Sequence, residues 1–208
     1  MQQNTLKNSC LRLFNIILIL TIFQSTSCSS QNKPINKEAI ELSTQALTTL
    51  RNKPDSALLL LDKAINLDSN YYSAYFDKGS IYCSKGDYYK AIATTIQGLK
   101  IKPDLAEAVI LLGMLYDKTQ QPEKAKEQYQ IAIKLFDERL AKSNKYYVAN
   151  EGNRALALML NGQEVEGKKI LNSLLFKDPD NFALKGLKDF NKENYLNEIF
   201  RKKSSTLR

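Results

Sequence analysis

Residues 106–139, AEAVILLGMLYDKTQQPEKAKEQYQIAIKLFDER, contain the spacing of small and apolar residues that decides the fold. Three columns of such residues recur along the chain at a period of 34 positions. The columns are Ala57, Ala91 and Ala125; Ala64, Gly98 and Ala132; and Leu67, Ile101 and Leu135. Self-similarity at one fixed period is typical of a repeat protein, in which each copy buries its apolar face against neighbouring copies. We therefore predict an array of repeated units.

The unit of 34 residues resembles the tetratricopeptide repeat, a helix–turn–helix motif of that length. Repeat three, residues 106–139, carries the family's preferred residues at Val109, Leu112, Gly113, Tyr116, Ala125, Tyr129 and Ala132. Repeat two, residues 72–105, carries them at Tyr75, Gly79, Tyr82, Ala91, Gly98 and Pro103. Repeat one, residues 38–71, matches at Ala57, Leu61 and Ala64, and repeat four, residues 148–181, matches at Ala155, Leu158, Gly167, Leu171 and Pro179.

The resemblance implies an all-α fold, a right-handed α-solenoid of about four helix pairs over residues 38–181. Residues 140–147 interrupt the period between repeats three and four. They either extend the second helix of repeat three or form a small protrusion. The stack is expected to be locally irregular there.

A further helical pattern follows the repeats in residues 182–208. Its apolar residues from Phe182 to Phe200 are spaced mostly three to four positions apart, which predicts one helix as far as Lys203 and then a basic tail. A terminal helix of this kind caps repeat four, because the open end of an array must be covered. The residues expected to face water are Lys185, Lys188, Lys192 and Arg201.

The resemblance also implies a concave face lined by the first helix of each repeat. The residues at the positions of this groove include Leu42, Thr49, Phe76, Ser80, Cys83, Ile110, Met114, Leu156 and Met159, with Glu107, Asp117, Lys118 and Gly152 on the same face. Apolar side chains in a concavity suit an extended or helical apolar segment of another protein. Two alternatives stay open. Either the groove is free for such a segment, or it is wholly or partly filled, because these apolar residues belong to the core at a register shifted by one or because the C-terminal helix folds into it.

The first 27 residues have the pattern of an export signal. Lys7 and Arg12 precede an apolar run from Leu13 to Phe23, which is too short to cross a hydrocarbon core of roughly 30 Å. We therefore predict a cleaved signal peptide over residues 1–27. An uncleaved anchor helix and a plain secretory signal are the alternatives.

The residues around Cys28 are similar to the lipobox of bacterial lipoproteins, although Ser25 stands where Leu is usual. This resemblance implies that acyl chains such as palmitate are attached at Cys28 and hold the protein at a membrane. Residues 28–37 then form a polar tether between the lipid and the repeats. In families where the next residue sorts lipoproteins, Ser29 favours the outer membrane, with the repeats facing the periplasm.

Composition limits the chemistry. The 208 residues contain no His, which excludes His-activated nucleophiles, imidazole-ligated zinc and a His general base. The net charge of +8 belongs to the two ends, since residues 38–181 hold 19 basic and 19 acidic side chains. A neutral repeat body lacks the basic stripe of a nucleic-acid binder. We expect no enzyme, no metal site, no cofactor and, with Cys83 the single mature thiol, no intramolecular disulfide.

The sequence therefore predicts a membrane-anchored scaffold of the bacterial cell envelope that binds other envelope proteins or peptide segments. The alternative is a soluble periplasmic or secreted binding module whose basic ends contact the membrane or acidic partners.

Overall fold

The structure is a computed structural model that describes residues 34–50, 53–143 and 145–200. Helices α1 to α4 span Lys37–Thr49, Pro54–Leu67, Tyr72–Lys85 and Tyr88–Ile101. Helices α5 to α8 span Ala106–Lys118, Pro122–Lys142, Tyr147–Leu160 and Glu164–Lys177. Two short helices follow, α9 (Phe182–Lys185) and α10 (Lys192–Ile199).

Proline and glycine fix several helix ends. Pro54 and Pro122 open α2 and α6, where the missing N–H of proline has no intrahelical partner to lose. Gly86 and Gly162 follow α3 and α7 with φ of +80° and +87°, a left-handed conformation that costs glycine little. The turns between paired helices are only a few residues long, so the two helices of each pair run antiparallel.

The chain divides into two compact units at Pro103 and Asp104. In the amino-terminal unit α1 pairs with α2, α3 pairs with α4, and α2 packs on α3. Its first core cluster consists mainly of alanines, with Leu61 and Ile81 as the large buried members. Small side chains let the helix backbones approach closely, which is the role that the repeat pattern predicts for them.

In the carboxy-terminal unit α5 pairs with α6, α7 pairs with α8, and α6 packs on α7. Tyr129 and Phe136 of α6 are its largest fully buried side chains. A β-carbon on Gly113 would lie 2.5 Å from a ring carbon of Tyr129, so only glycine lets α5 approach this ring so closely. Stacked helix pairs in each unit confirm the predicted all-α repeat fold.

The carboxyl end differs from the prediction. The single helix expected from Phe182 to Lys203 is two short helices, α9 and α10, with turns between them. Gly186 follows α9 and has a low helix propensity, and the side chain of Asn191 accepts a hydrogen bond from the backbone N–H of Asn194 at 3.0 Å, which starts a new helix. Residues 201–208, with the predicted tail and Arg201, lie outside the described residues.

At the interruption of the period, α6 continues to Lys142 and is 21 residues long. This is the helix extension that the sequence left as one of two alternatives. The predicted signal peptide and Cys28 lie outside the described residues. Among the helices of the described ranges, none combines the length and the apolar character that a membrane crossing requires.

A buried carboxyl group joins the first helices of repeats one and two. The hydroxyl of Ser43 in α1 donates a hydrogen bond of 3.0 Å to Oδ2 of Asp77 in α3, and both side chains are buried. Burial raises the pKa of Asp77 from 3.8 to about 6, and the hydrogen bond from Ser43 opposes that rise. The charged form of Asp77 is therefore a cost to the fold at neutral pH.

We expect Asp77→Asn to stabilise the protein above pH 6 by on the order of 2 kcal/mol and to have a much smaller effect near pH 4. Because the folded pKa lies above the unfolded one, the wild type loses stability as the pH rises from about 4 to about 6. The variant has no carboxyl group to ionise, and its amide oxygen still accepts the bond from Ser43. Urea unfolding at both pH values measures the difference, and an equal effect at the two would contradict it.

Candidate functional site

The predicted groove residues of the amino-terminal unit lie on α1 and α3. Leu42, Thr49, Phe76, Ser80 and Cys83 are all partly exposed. Their side chains therefore present a mixed apolar and hydroxyl-bearing face to a partner.

Phe76 also has a packing role that the repeat period did not predict. A β-carbon on Gly98 of α4 would lie 2.6 Å from its ring, and the ring of Tyr72 meets it edge-on at 6.0 Å between centroids. Helical spacing predicts the face of a residue but not its rotamer. Phe76 thus contributes to the contact between α3 and α4 as well as to the predicted groove.

The predicted groove residues of the carboxy-terminal unit are buried. The exposed fractions of Ile110, Met114, Leu156 and Met159 are 4%, 1%, 7% and 2%. Met159 packs between α7 and α8, since a β-carbon on Gly167 would lie 2.5 Å from its Cγ. In this unit the four side chains do not line an open groove. The alternative of a groove that is free for a partner segment therefore does not hold here.

Residues 182–200, here called the C-terminal segment, contact other positions of the same predicted face. Lys192 Nζ lies 2.8 Å from Oδ2 of Asp117, and Lys118 Nζ lies 5.9 Å from the ring centroid of Phe200. A β-carbon on Gly152 would lie 2.9 Å from a methyl group of Leu184. We call the surface around Asp117, Lys118 and Gly152 the α5/α7 face.

The C-terminal segment turns an apolar side inward. Leu184, Phe190, Ile199 and Phe200 are all buried, and the rings of Phe190 and Tyr195 lie 5.4 Å apart. Leu184 also packs with Leu171 and Leu174 of α8. The segment thus contacts the α5/α7 face at Asp117, Lys118 and Gly152, the partial filling that the second alternative describes.

Asp117 is the polar centre of the α5/α7 face. Its Oδ2 accepts a hydrogen bond of 2.7 Å from the hydroxyl of Tyr129 in addition to its ion pair with Lys192. Burial and then the hydrogen bond to Asp117 raise the pKa of Tyr129, so the hydroxyl keeps its proton and remains a donor. Lys192 Nζ also lies 5.2 Å from the ring centroid of Tyr129, within reach of a cation–π contact.

The expectation that Lys192 faces water is therefore wrong. Its side chain is 40% exposed, yet its ammonium group binds Asp117, whose side chain is 10% exposed. The one available signal was an acidic residue, Asp117, at a mostly apolar set of groove positions. Spacing alone does not reveal that a lysine 75 positions later in the chain reaches it.

Glu107, another predicted groove position, is held by an ion pair inside the carboxy-terminal unit. Arg139 of α6 donates to both carboxylate oxygens, with Nη1–Oε1 at 2.6 Å and Nη2–Oε2 at 3.1 Å. Nη2 also donates to the backbone oxygen of Asp104 at 2.9 Å. This two-pronged geometry fixes the start of α5 against the end of α6.

The described residues contain no group of three or more carboxylate or cysteine side chains placed to hold a metal ion. The predicted groove positions of the two units combine apolar side chains, a few hydroxyl groups and two fixed carboxylates, Asp117 and Glu107, a composition suited to contacts with another polypeptide.

Comparisons with known proteins agree with the repeat pattern. Two segments match family models of the tetratricopeptide repeat, residues 60–93, which run from α2 into α4, and residues 106–138, which cover α5 and most of α6. These two segments thus have the pattern of tetratricopeptide repeats, which supports a role as a scaffold for protein–protein interaction. No curated protein matches the chain in sequence.

Solved structures similar to this chain include crystal structures of MamA and of YrrB. MamA is 23% identical over 71% of this chain and 81% of its own, with a TM-score of 0.48. YrrB, described as a TPR protein with an unusual peptide-binding site, is 23% identical over 79% of this chain and 88% of its own, with a TM-score of 0.49.

Proposed function

We propose that this protein is a lipid-anchored scaffold of the bacterial cell envelope, whose repeats hold other envelope proteins or peptide segments close to a membrane. The observation that carries the proposal is the combination of the two parts in one chain. Tetratricopeptide repeats supply the binding surface, and Cys28 supplies the attachment point after a basic flank and a short apolar run.

The free energy of burying acyl chains in a bilayer supports the anchoring part of the proposal. Each buried CH₂ group contributes about 0.8 kcal/mol, so two or three acyl chains at Cys28 retain a protein at a bilayer without a spanning helix. Residues 29–36, a mainly polar stretch, connect this lipid to α1, which begins at Lys37. Ser29 favours the outer membrane, with the repeats on the periplasmic side.

The amino-terminal unit supports the binding part. The groove residues of α1 and α3 remain partly exposed there, whereas the apolar groove residues of α5 and α7 are buried. We place the primary partner contact on α1 and α3, around Leu42, Thr49, Ser80 and Cys83. A mixed surface of this kind suits an extended or helical segment with apolar anchors and a few polar groups.

We expect Cys28→Ala to abolish incorporation of labelled palmitate in the native cell and to move the protein from the membrane fraction to the soluble fraction. Cys83→Ala is the matched control, because it removes a thiol inside the repeats and leaves the anchor intact. Membrane retention and labelling that survive Cys28→Ala would contradict the proposal. A wild-type protein found only in the soluble fraction would favour the soluble binding module instead.

The same strains test the binding part. A photocrosslinking residue at Ser80 is expected to capture a specific envelope protein, and the capture weakens with Cys28→Ala because the repeats are no longer held near the partner. The control position is Leu59, which is 64% exposed on α2 of the same unit. Capture from Leu59 but not from Ser80 would place the partner elsewhere.

A further inference from the structure

The carboxy-terminal unit carries a preformed site for a cation on its α5/α7 face. Asp117 is nearly buried, and the hydroxyl of Tyr129 fixes the orientation of its carboxylate. The ring of Tyr129 lies next to the same point, so a lysine that reaches Asp117 also meets an aromatic face. Lys118, at the next position of α5, lies near an aromatic ring, Phe200, in the same manner.

We infer that the α5/α7 face binds a helical segment of a partner protein that carries a lysine flanked by aromatic residues, and that the chain's own C-terminal segment occupies this face in competition with it. The inference deepens the proposed scaffold function and rests on it, since it names the chemistry of one partner segment and the means by which access is regulated.

The C-terminal segment itself defines the chemistry of the competing ligand. Helical geometry brings Lys192, Tyr195 and Ile199 to one side of α10, at spacings of three and four. Phe190 precedes this row and Phe200 follows it, and both rings are buried. A partner helix with a lysine for Asp117 and aromatic residues before and after it would satisfy the same contacts.

The attachment of the segment makes it displaceable. Helix α10 is eight residues long, which is shorter than a helix that is stable by itself in water. Of the residues that join it to α9, four are exposed, and the buried contacts come from Phe190 and from Leu187, which packs against the cluster around Leu184. Helix α10 is therefore held in place by the contacts of its side chains with Asp117 and Tyr129, by the contact of Phe200 with Lys118, and by the Phe190–Tyr195 ring pair.

The competition is intramolecular. A segment tethered by a short connection acts at an effective concentration in the millimolar range, which weakens the apparent affinity of any free ligand for the same face. Loosening the tethered segment should thus increase the apparent affinity for a free peptide of the same sequence, while removing the acceptor should abolish the binding of that peptide.

The test uses the purified mature chain and a fluorescent synthetic peptide of residues 187–200, LKDFNKENYLNEIF, with binding measured by fluorescence anisotropy. We expect Lys192→Ala in the protein to bind the peptide at least about five-fold more tightly than the wild type. Asp117→Asn added to Lys192→Ala is expected to remove this gain. Lys188→Ala, a change at an exposed lysine of the same segment, is the matched control and should behave as the wild type.

Failure of Lys192→Ala to bind the peptide more tightly overturns the inference, as does binding that persists unchanged with Asp117→Asn. Thermal melting followed by circular dichroism shows whether each variant is still folded. A peptide with Lys192→Glu, which cannot pair with Asp117, should bind the unchanged protein more weakly than the original peptide. A concentration-dependent dimer that Asp117→Asn abolishes would assign the face to a second copy of the chain and overturn the partner proposal. Palmitate labelling at Cys28 does not depend on these outcomes, so the two proposals fail separately.

Discussion

Replacing Gly167 by alanine is expected to lower the free energy of unfolding by about 2 kcal/mol. The added β-carbon would lie 2.6 Å from the backbone oxygen of Ala155 and 2.5 Å from Cγ of Met159. The methionine can change its rotamer, but the carbonyl group belongs to α7, so α8 must move away as a whole. Alanine gains about 1 kcal/mol in helix propensity over glycine, which offsets only part of the cost.

Gly186→Ala is the matched control for this prediction. Gly186 lies in the same unit in a right-handed helical conformation, and a β-carbon there would lie 3.5 Å from the nearest atom, the backbone oxygen of Ala183. We expect its stability to equal or slightly exceed that of the wild type. Chemical denaturation of both variants under one condition measures the contrast, and a Gly167→Ala protein as stable as the Gly186→Ala protein would show that α7 and α8 are not in close contact.

The columns of small residues were the most predictable part of this fold. Gly113 and Gly167 stand at repeat positions where the family pattern places small residues, and both lie where a β-carbon would collide with the neighbouring helix. This link between sequence and packing is local, because the period of 34 fixes which residues of two adjacent helices face each other. The all-α repeat architecture follows from such local rules.

The state of the candidate site was less predictable. Helical spacing placed Ile110 and Met114 on the groove side of α5 but did not show whether another part of the chain covers them. Nor did it show that Gly186 and Asn191 break the carboxyl end into two short helices, the second of which brings Lys192 to Asp117. Such a contact joins residues far apart in sequence and leaves no periodic signal. The anchor at Cys28 remains a prediction from the sequence.

The second large effect is expected for Arg139→Ala, which we predict to cost about 3 kcal/mol of stability. The side chain of Glu107 is 7% exposed, and Arg139 supplies the hydrogen bonds of both its carboxylate oxygens. Truncation leaves this carboxylate buried without its partner and also removes the donor for the backbone oxygen of Asp104. The guanidinium group lies 5.3 Å from the ring of Phe136, so some packing is lost as well.

The exposed ion pair between Lys185 and Asp180 serves as the control for this prediction. Lys185 and Asp180 also form a contact of 2.9 Å, but their side chains are 48% and 98% exposed, so Lys185→Ala should cost no more than about 0.5 kcal/mol. Arg139→Lys should recover only part of the loss, because an ammonium group cannot bridge both oxygens of Glu107 in one plane.

A double-mutant cycle then separates the pair from its surroundings. If the cost of Arg139→Ala arises from the unpaired carboxylate of Glu107, the double variant Glu107→Gln/Arg139→Ala should be more stable than Arg139→Ala alone, by on the order of 1 to 2 kcal/mol. Additive single effects would instead assign the loss to the Asp104 carbonyl and the Phe136 ring. In that case Glu107 would contribute little to joining α5 with α6, and the start of α5 would depend on Arg139 through the backbone alone.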